Sequence, residues 1–309
     1  MKIFIAGGSG LIGRALIPRL LLKGHDVSVL TRAPSKVFLN DRRLSIVQWD
    51  GETIGGWTKA MREADVVVNL SGENLAGGRW TEKRKKLLLK SRIQTTRLLV
   101  GAMKEQPRGQ ATLINISAVG FYGNVPTGVV DEQSPNGNDF LSTVCARWEE
   151  AALEASAFGV RVVTPRLGVV LANGGGALGK LVLPFKFFAG GYIGSGDQWF
   201  SWIHRSDLVE SIIFLIDKPA ISGAVNLSAP HAVTMKEFSR VLGEVLKRPS
   251  WTAASAFLVR LALGEMSDML LTGQNVVPRR LLDAGFAFKF PDPRSALMDL
   301  LGPEQYHTA

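Results

Sequence analysis

Apolar positions fill the start of the chain. Lys2-Ile3-Phe4-Ile5-Ala6 reads as a buried strand. The run stops at Gly7-Gly8-Ser9-Gly10-Leu11-Ile12-Gly13, and apolar residues then return at helical spacing in Arg14-Ala15-Leu16-Ile17-Pro18-Arg19-Leu20-Leu21-Leu22. Short apolar runs at residues 25–30, 45–50, 64–72, 113–117 and 160–166 predict further strands, with helical patterns between them. Residues 140–151, 181–188, 208–213, 235–246 and 255–263 also read as helices. Strands alternating with helices predict an α/β fold with a parallel sheet, whose C-terminal strand ends line one crevice.

The glycines sharpen this picture. Strand, Gly7-x-x-Gly10-x-x-Gly13 and helix in this order form a dinucleotide-binding fingerprint. The glycines permit a tight turn, close approach of a pyrophosphate and close packing of helix on strand. The helix N-terminus, opening at Leu11 and Ile12, offers unpaired N–H groups to the phosphates. The fold class is therefore a Rossmann-like doubly wound sheet. Thr31-Arg32 ends the second strand, where an NAD site carries an acidic residue for the ribose 2′-OH. A guanidinium there suits a 2′-phosphate, so the expected cofactor is NADP(H). The alternative is that Arg32 is a solvated loop cation. Asp50, at the end of the third strand, is placed to meet the adenine edge.

At 309 residues with 46% apolar content, the chain can bury a large core. A single cysteine, Cys145, excludes an internal disulfide framework and fits a reducing, cytoplasmic setting. The strand beginning at residue 2 leaves no room for a signal peptide, and no apolar run has membrane-spanning length. The formal charge of +9 raises nucleic acid or another acidic partner, but no recognition motif accompanies it, so neither nucleic acid nor membrane is expected. Lys83-Arg84-Lys85-Lys86, with Lys90 and Arg92, is either a solvated helix face or one that meets an anion. Four dispersed histidines and one cysteine give no metal-site spacing.

Four motifs carry a resemblance. They are the glycine loop, Asn69-Leu70-Ser71-Gly72, residues 117–123 (Ser-Ala-Val-Gly-Phe-Tyr-Gly) and residues 165–170 (Pro-Arg-Leu-Gly-Val-Val). With them the chain resembles the extended short-chain dehydrogenase/reductase superfamily. Arg79-Trp80-Thr81, residues 194–204 and the tail at residues 264–278 narrow it. There the chain resembles the epimerase-like family described as sugar-nucleotide epimerases or cell-division-inhibitor-like proteins. The resemblance implies an NADP(H)-binding domain over residues 1–230, with a substrate-lobe insertion at about 172–204, and a family-specific, mostly helical region over 231–309. It also implies cofactor contacts from Leu70, Ser71, Gly72, Ser117, Arg166 and Val170.

The resemblance has two gaps. Superfamily enzymes use a Ser after strand five and a Tyr-x-x-x-Lys pair on the next helix. Ser117 stands at the Ser position, but the helix holds Leu141 with Cys145, or Thr143 with Arg147, where the pair belongs. Arg92 stands where extended members carry an Asn near the active site, which points to an anion or a cofactor phosphate. Tyr122, with Ser117, is then the acid/base candidate, and the alternative for Tyr122 is an aromatic core residue. Trp199, Trp202 and His204 are expected in the substrate pocket, His204 alternatively ordering its loop, and Asp207 is expected to cap the following helix. The six C-terminal residues are expected to fray. Two function classes follow: an NADP(H)-dependent, epimerase-like oxidoreductase or isomerase acting on an unknown small molecule, or a non-catalytic NADP-binding regulatory protein.

Overall fold

The computed structural model describes residues 1–37, 39–104 and 111–302. The fraying expectation falls outside these residues. Among them, a parallel sheet is built from β1 (Lys2–Ala6), β2 (Asp26–Thr31), β3 (Leu44–Gln48), β4 (Val66–Asn69), β5 (Thr112–Asn115), β6 (Arg161–Leu167) and β7 (Gly223–Leu227). Their order is β3-β2-β1-β4-β5-β6-β7. Every pairing is parallel. The direction of winding therefore reverses beside β1, between β1 and β4, where such sheets bind ligands.

Strand alternation decides the layers. Ile3 and Ile5 of β1 face one core with Leu16, Ile17 and Leu20 of α1 (Leu11–Leu22). Phe4 and Ala6 face the other core, against Trp57 and Met61 of α2 (Trp57–Arg62) and Leu99 and Met103 of α3 (Glu82–Met103). Both faces are covered, as an all-parallel sheet requires. The C-terminal ends of the central strands are aligned, with Ala6 opposite Asn69 and Asn69 opposite Asn115.

The α4 helix (Phe140–Leu153) starts at Asp139, whose carboxylate accepts from the Ser142 N–H. The helix expected at 181–188 forms earlier, as α5 (Gly176–Lys186), directly after the glycine run, and stops before Phe188, which has a positive φ. The one expected at 208–213 is longer, as α6 (Arg205–Asp217). The pattern at 235–246 forms α7 (Met235–Leu246).

The tail is more than helices. Gln274–Val276 runs parallel to Val125–Val130, and Thr252–Ala254 pairs with Gly191–Ile193. Arg280 donates to the carbonyls of Ser222 and Ala224 beside β7. Asp207 does not cap α6. Its buried carboxylate accepts from the Lys289 and Phe290 N–H groups, fixing the tail to the sheet domain, and the cap is the imidazole of His204. Among the described residues, no helix is long and apolar enough to cross a membrane.

Candidate functional site

A groove of about 360 Å³ opens at the β1–β4 reversal point. Gly7 and Gly10 form its base, with the Gly10 N–H bonded to the Gly7 carbonyl at 3.2 Å. Gly7 has φ +79°, and a Cβ there would stand 2.9 Å from the Leu70 backbone. At Gly13 a Cβ would lie 2.2 Å from the Gly8 carbonyl oxygen, so only glycine lets α1 pack this closely. No side chain caps the α1 N-terminus and no acidic residue stands in its first turn, which leaves the N–H groups around Leu11 and Ile12 open to an anion. Leu11 also approaches Gly175 and Gly176 of the second lobe, and Val170 lies half-buried beside that junction.

Across the groove, the buried Thr31 hydroxyl donates to Ser9 Oγ at 3.0 Å and accepts from the Ala33 N–H. Arg32 and Lys36 are exposed and line the same wall. No acidic residue occupies the end of β2. Asp50 lines the groove too, but its carboxylate accepts from Glu52 N–H, Thr53 N–H and the Thr53 hydroxyl. Those bonds hold it down at about 2 and shape the loop on that side of the groove. Leu70, Ser71 and Gly72 form the opposite wall. They are held by Asn69, whose Oδ1 accepts from the Ser71 N–H and whose Nδ2 donates to Thr96 and Asn115.

The groove residues fit a dinucleotide: open helix N–H groups and glycine backbone for a pyrophosphate, and two free cations with a hydroxyl for a ribose phosphate. Sequence reasoning missed Lys36. It lies in a three-residue 3₁₀ turn, Pro34–Lys36, with no periodic signal.

Beyond the groove lies an inner cavity of about 520 Å³. Its walls are mainly apolar, including Trp80, Phe140, Trp148 and Trp199, and its roof is the tail segment from Glu265 to Gln274. The register on α4 is settled here. Leu141 and Cys145 face the cavity, whereas Thr143 and Arg147 are exposed to solvent. Burial pushes the Cys145 thiol up to about 12, so it remains protonated at neutral pH.

Arg92 lines this cavity, with its guanidinium against Gly72 of the groove wall. It is 8% exposed, and its Nη1 and Nη2 donate to the Leu88 and Glu73 carbonyls, both at 3.2 Å. Its basic run is thus divided. Arg84 pairs with Glu73, Lys85 pairs with Glu82 and Glu265 at the cavity wall, and Lys83 and Lys86 face solvent.

Several expected site residues are engaged elsewhere. Ser117 is buried and donates to Glu149 Oε1 at 2.7 Å. Glu149 accepts two hydrogen bonds from Arg166, at 2.9 and 2.8 Å, with both side chains nearly inaccessible. Arg166 also donates to the Tyr122 hydroxyl at 3.0 Å and stacks 3.4 Å from the Phe121 ring centre. Tyr122 in turn donates to Asn226 Oδ1 at 2.7 Å and is 2% exposed. Burial pushes its hydroxyl up to about 12, against the pull of Arg166. Its ring packs with Val119, Val130 and Val276, because the 3₁₀ turn Val119–Tyr122 directs Val119 and Gly120 to the cavity and the tyrosine away from it. Tyr122 is therefore bonded away from the cavity, and Ser117 and Arg166 are tied into the network behind Ala118 and Cys145 of its wall. Glu149, the centre of this network, gave no sequence signal beyond its place on the buried face of α4.

The pocket expectations divide similarly. Trp199 lines the cavity, its Nε1 donating to the Pro126 carbonyl. Trp202 is fully buried in the second-lobe core with Phe238 and Phe200. His204 is 1% exposed, stacks on Phe290 and accepts the Ser206 N–H at Nδ1. Its Nε2 lies 3.2 Å from Asp299 but off line for a hydrogen bond. Burial pushes it down to about 4, so it is a neutral cap and not a pocket base.

Comparisons with known proteins agree with this architecture. Residues 3–228 match the NAD dependent epimerase/dehydratase family, and residues 254–300 match a domain of unknown function, DUF1731. An epimerase family protein of Staphylococcus haemolyticus is 40% identical over 97% of this chain and 99% of its own length. The Arabidopsis thaliana chloroplastic homolog of SDR39U1, also an epimerase family protein, is 39% identical over 97% of this chain and 87% of its own. The crystal structure of human epimerase family protein SDR39U1 with NADPH has a TM-score of 0.84 at 33% identity, covering 97% of this chain and 99% of that one. The chain belongs to the NAD dependent epimerase/dehydratase family, among the SDR39U1-like members that carry the DUF1731 domain.

Proposed function

We propose that this chain is an NADP(H)-binding, oxidoreductase-like member of its family that holds a small molecule in the inner cavity and has given up the Tyr-x-x-x-Lys mechanism. The observation that carries the cofactor reading is the end of β2, where Thr31, Arg32 and Lys36 line the groove and no acidic residue stands at the strand end. The relative solved with NADPH supports it. The glycine loop and the open α1 N-terminus would hold the pyrophosphate, the loop shaped by Asp50 would meet the adenine end, and Leu70 to Gly72 would line the path toward the cavity. When bound, NADP(H) supplies hydride chemistry at its nicotinamide ring.

The chain's own contribution beside the cavity is binding and exclusion of water. Leu141 and Cys145 stand on the cavity face of α4, and neither exchanges a proton at neutral pH. Tyr122 and Ser117 are bonded into a buried network. Ordinary 4-epimerisation needs a base to take the hydroxyl proton, a contribution of about 10²–10⁴-fold. We expect none on UDP-glucose. The same absence favours a second reading, a non-catalytic protein that binds NADP(H) and a ligand and acts through partners. NADPH oxidation followed across a library of carbonyl compounds separates the two. Turnover on one of them supports the oxidoreductase, and ligand binding without turnover supports the binding protein. A cytoplasmic setting and the absence of nucleic-acid and membrane partners are part of this reading, which rests on the lone buried thiol and the division of the basic run of α3.

A further inference from the structure

We propose that the inner cavity takes an apolar-bodied monocarboxylate, with its carboxylate seated on Arg92. This names the ligand class of the cavity and rests on the reading above that the cavity holds a small molecule.

The argument begins with an unbalanced charge. Arg92 is nine-tenths buried and lines the cavity, and among the described residues it forms no ion pair. Its guanidinium carries five N–H donors, of which two are bonded, both to backbone carbonyls. Its guanidinium carbon lies over the Trp148 ring, 5.1 Å from the ring centre. A buried cation without a counter-ion is costly, and an anion entering the cavity removes that cost. Arginine presents a fork that matches a carboxylate.

The surroundings set the size of the charge. Lys85, the other cation on the cavity wall, is bonded to Glu82 at 2.7 Å and Glu265 at 2.9 Å. Asp139, Glu265 and Asp268 also line the cavity and repel added negative charge. With Glu265 taken by Lys85, one uncommitted cation shares the cavity with Asp139 and Asp268, which suits one carboxylate and not the diphosphate of a nucleotide sugar. The body of the ligand follows from the remaining walls. Trp80, Phe140, Leu141, Val144 and Trp199 offer apolar and aromatic surface, and the volume of about 520 Å³ is that of a small-molecule pocket. Gly72 of the groove wall lies against the Arg92 guanidinium, so a cofactor phosphate is the competing occupant, and NADPH titration of Arg92→Gln separates the two.

Calorimetric titration with 3-phenylpropanoate, 3-phenylpropanamide and UDP-glucose tests this, on the whole chain with and without NADPH. The expected result is that the carboxylate binds about tenfold or more tighter than its neutral amide, and tighter than UDP-glucose. Arg92→Gln should remove that preference and leave NADPH affinity unchanged, and Arg92→Lys should keep part of it. Should Arg92→Gln not fold, the wild-type ratio and the Arg92→Lys protein decide. Equal affinity for acid and amide, tighter binding of UDP-glucose, or no binding of the acid at millimolar concentration overturns the proposal. So does a loss that falls on NADPH. If instead the acid preference holds while NADPH fails to bind the wild type, the cofactor reading fails and the carboxylate site stands.

Discussion

The cofactor groove and the buried network under the Ser117 loop lie at the ends of neighbouring strands, yet they use polar groups in opposite ways. In the groove the polar groups are left open: the α1 N–H groups have no cap, and Arg32 and Lys36 reach into the groove without a carboxylate at the end of β2. In the network every polar side chain has a protein partner, from Ser117 through Glu149 and Arg166 to Tyr122 and Asn226. Open groups bind ligands, and closed networks hold the fold. Ser117, Tyr122 and Arg166 fall on the closed side in this chain, and the glycine loop and Arg32 fall on the open side.

The sharpest way to break this contrast is to cut the network. Glu149→Gln leaves the Arg166 charge buried and unpaired, and a loss of about 3–5 kcal/mol in urea unfolding is expected. A loss below about 1 kcal/mol, the range of exposed pairs, would mean that the network is open to water. Tyr122→Phe should cost less, about 1–3 kcal/mol, by stranding Asn226 Oδ1 and one Arg166 donor. Its NADPH affinity should stay at the wild-type value, and a marked loss would return Tyr122 to the ligand site.

The smallest effect is a pH slope. His204 is held down at about 4 from an ordinary 6.5, so the unfolded chain binds its proton first as pH falls. This contribution is full above about pH 6.5 and is lost as pH drops toward 4. His204→Asn, which keeps a good cap residue, should flatten that part of the stability curve. Parallel curves for the two proteins would contradict a buried neutral imidazole.

How much of this was legible in the sequence follows the same division. The glycine loop, Thr31 and Arg32 are local features, because a tight turn and a strand end are specified by adjacent residues. The α4 helix was legible for the same reason, but not the face it turns to the cavity. Two registers fitted, and only packing against Gly120 and the 3₁₀ turn selects Leu141 with Cys145. Tyr122 and His204 each left a chemical and a structural reading open, because residue type and motif alone fit both. Their partners, Asn226 and Phe290, lie 104 and 86 residues away in sequence, and no spacing rule reaches that far. The sequence pointed to Arg92 as a cation at the superfamily's near-active-site position, but not to its cavity, which is roofed by tail residues that short-range patterns cannot bring near it.

The most direct test of the central claim is a paired calorimetric titration of NADPH and NADH into the wild type and Arg32→Ala. One charge-assisted phosphate contact is worth about 1.5–3 kcal/mol, so wild type should favour NADPH by about tenfold to a hundredfold, and the variant should lose most of that preference. Equal affinities for the two cofactors in the wild type would contradict the account.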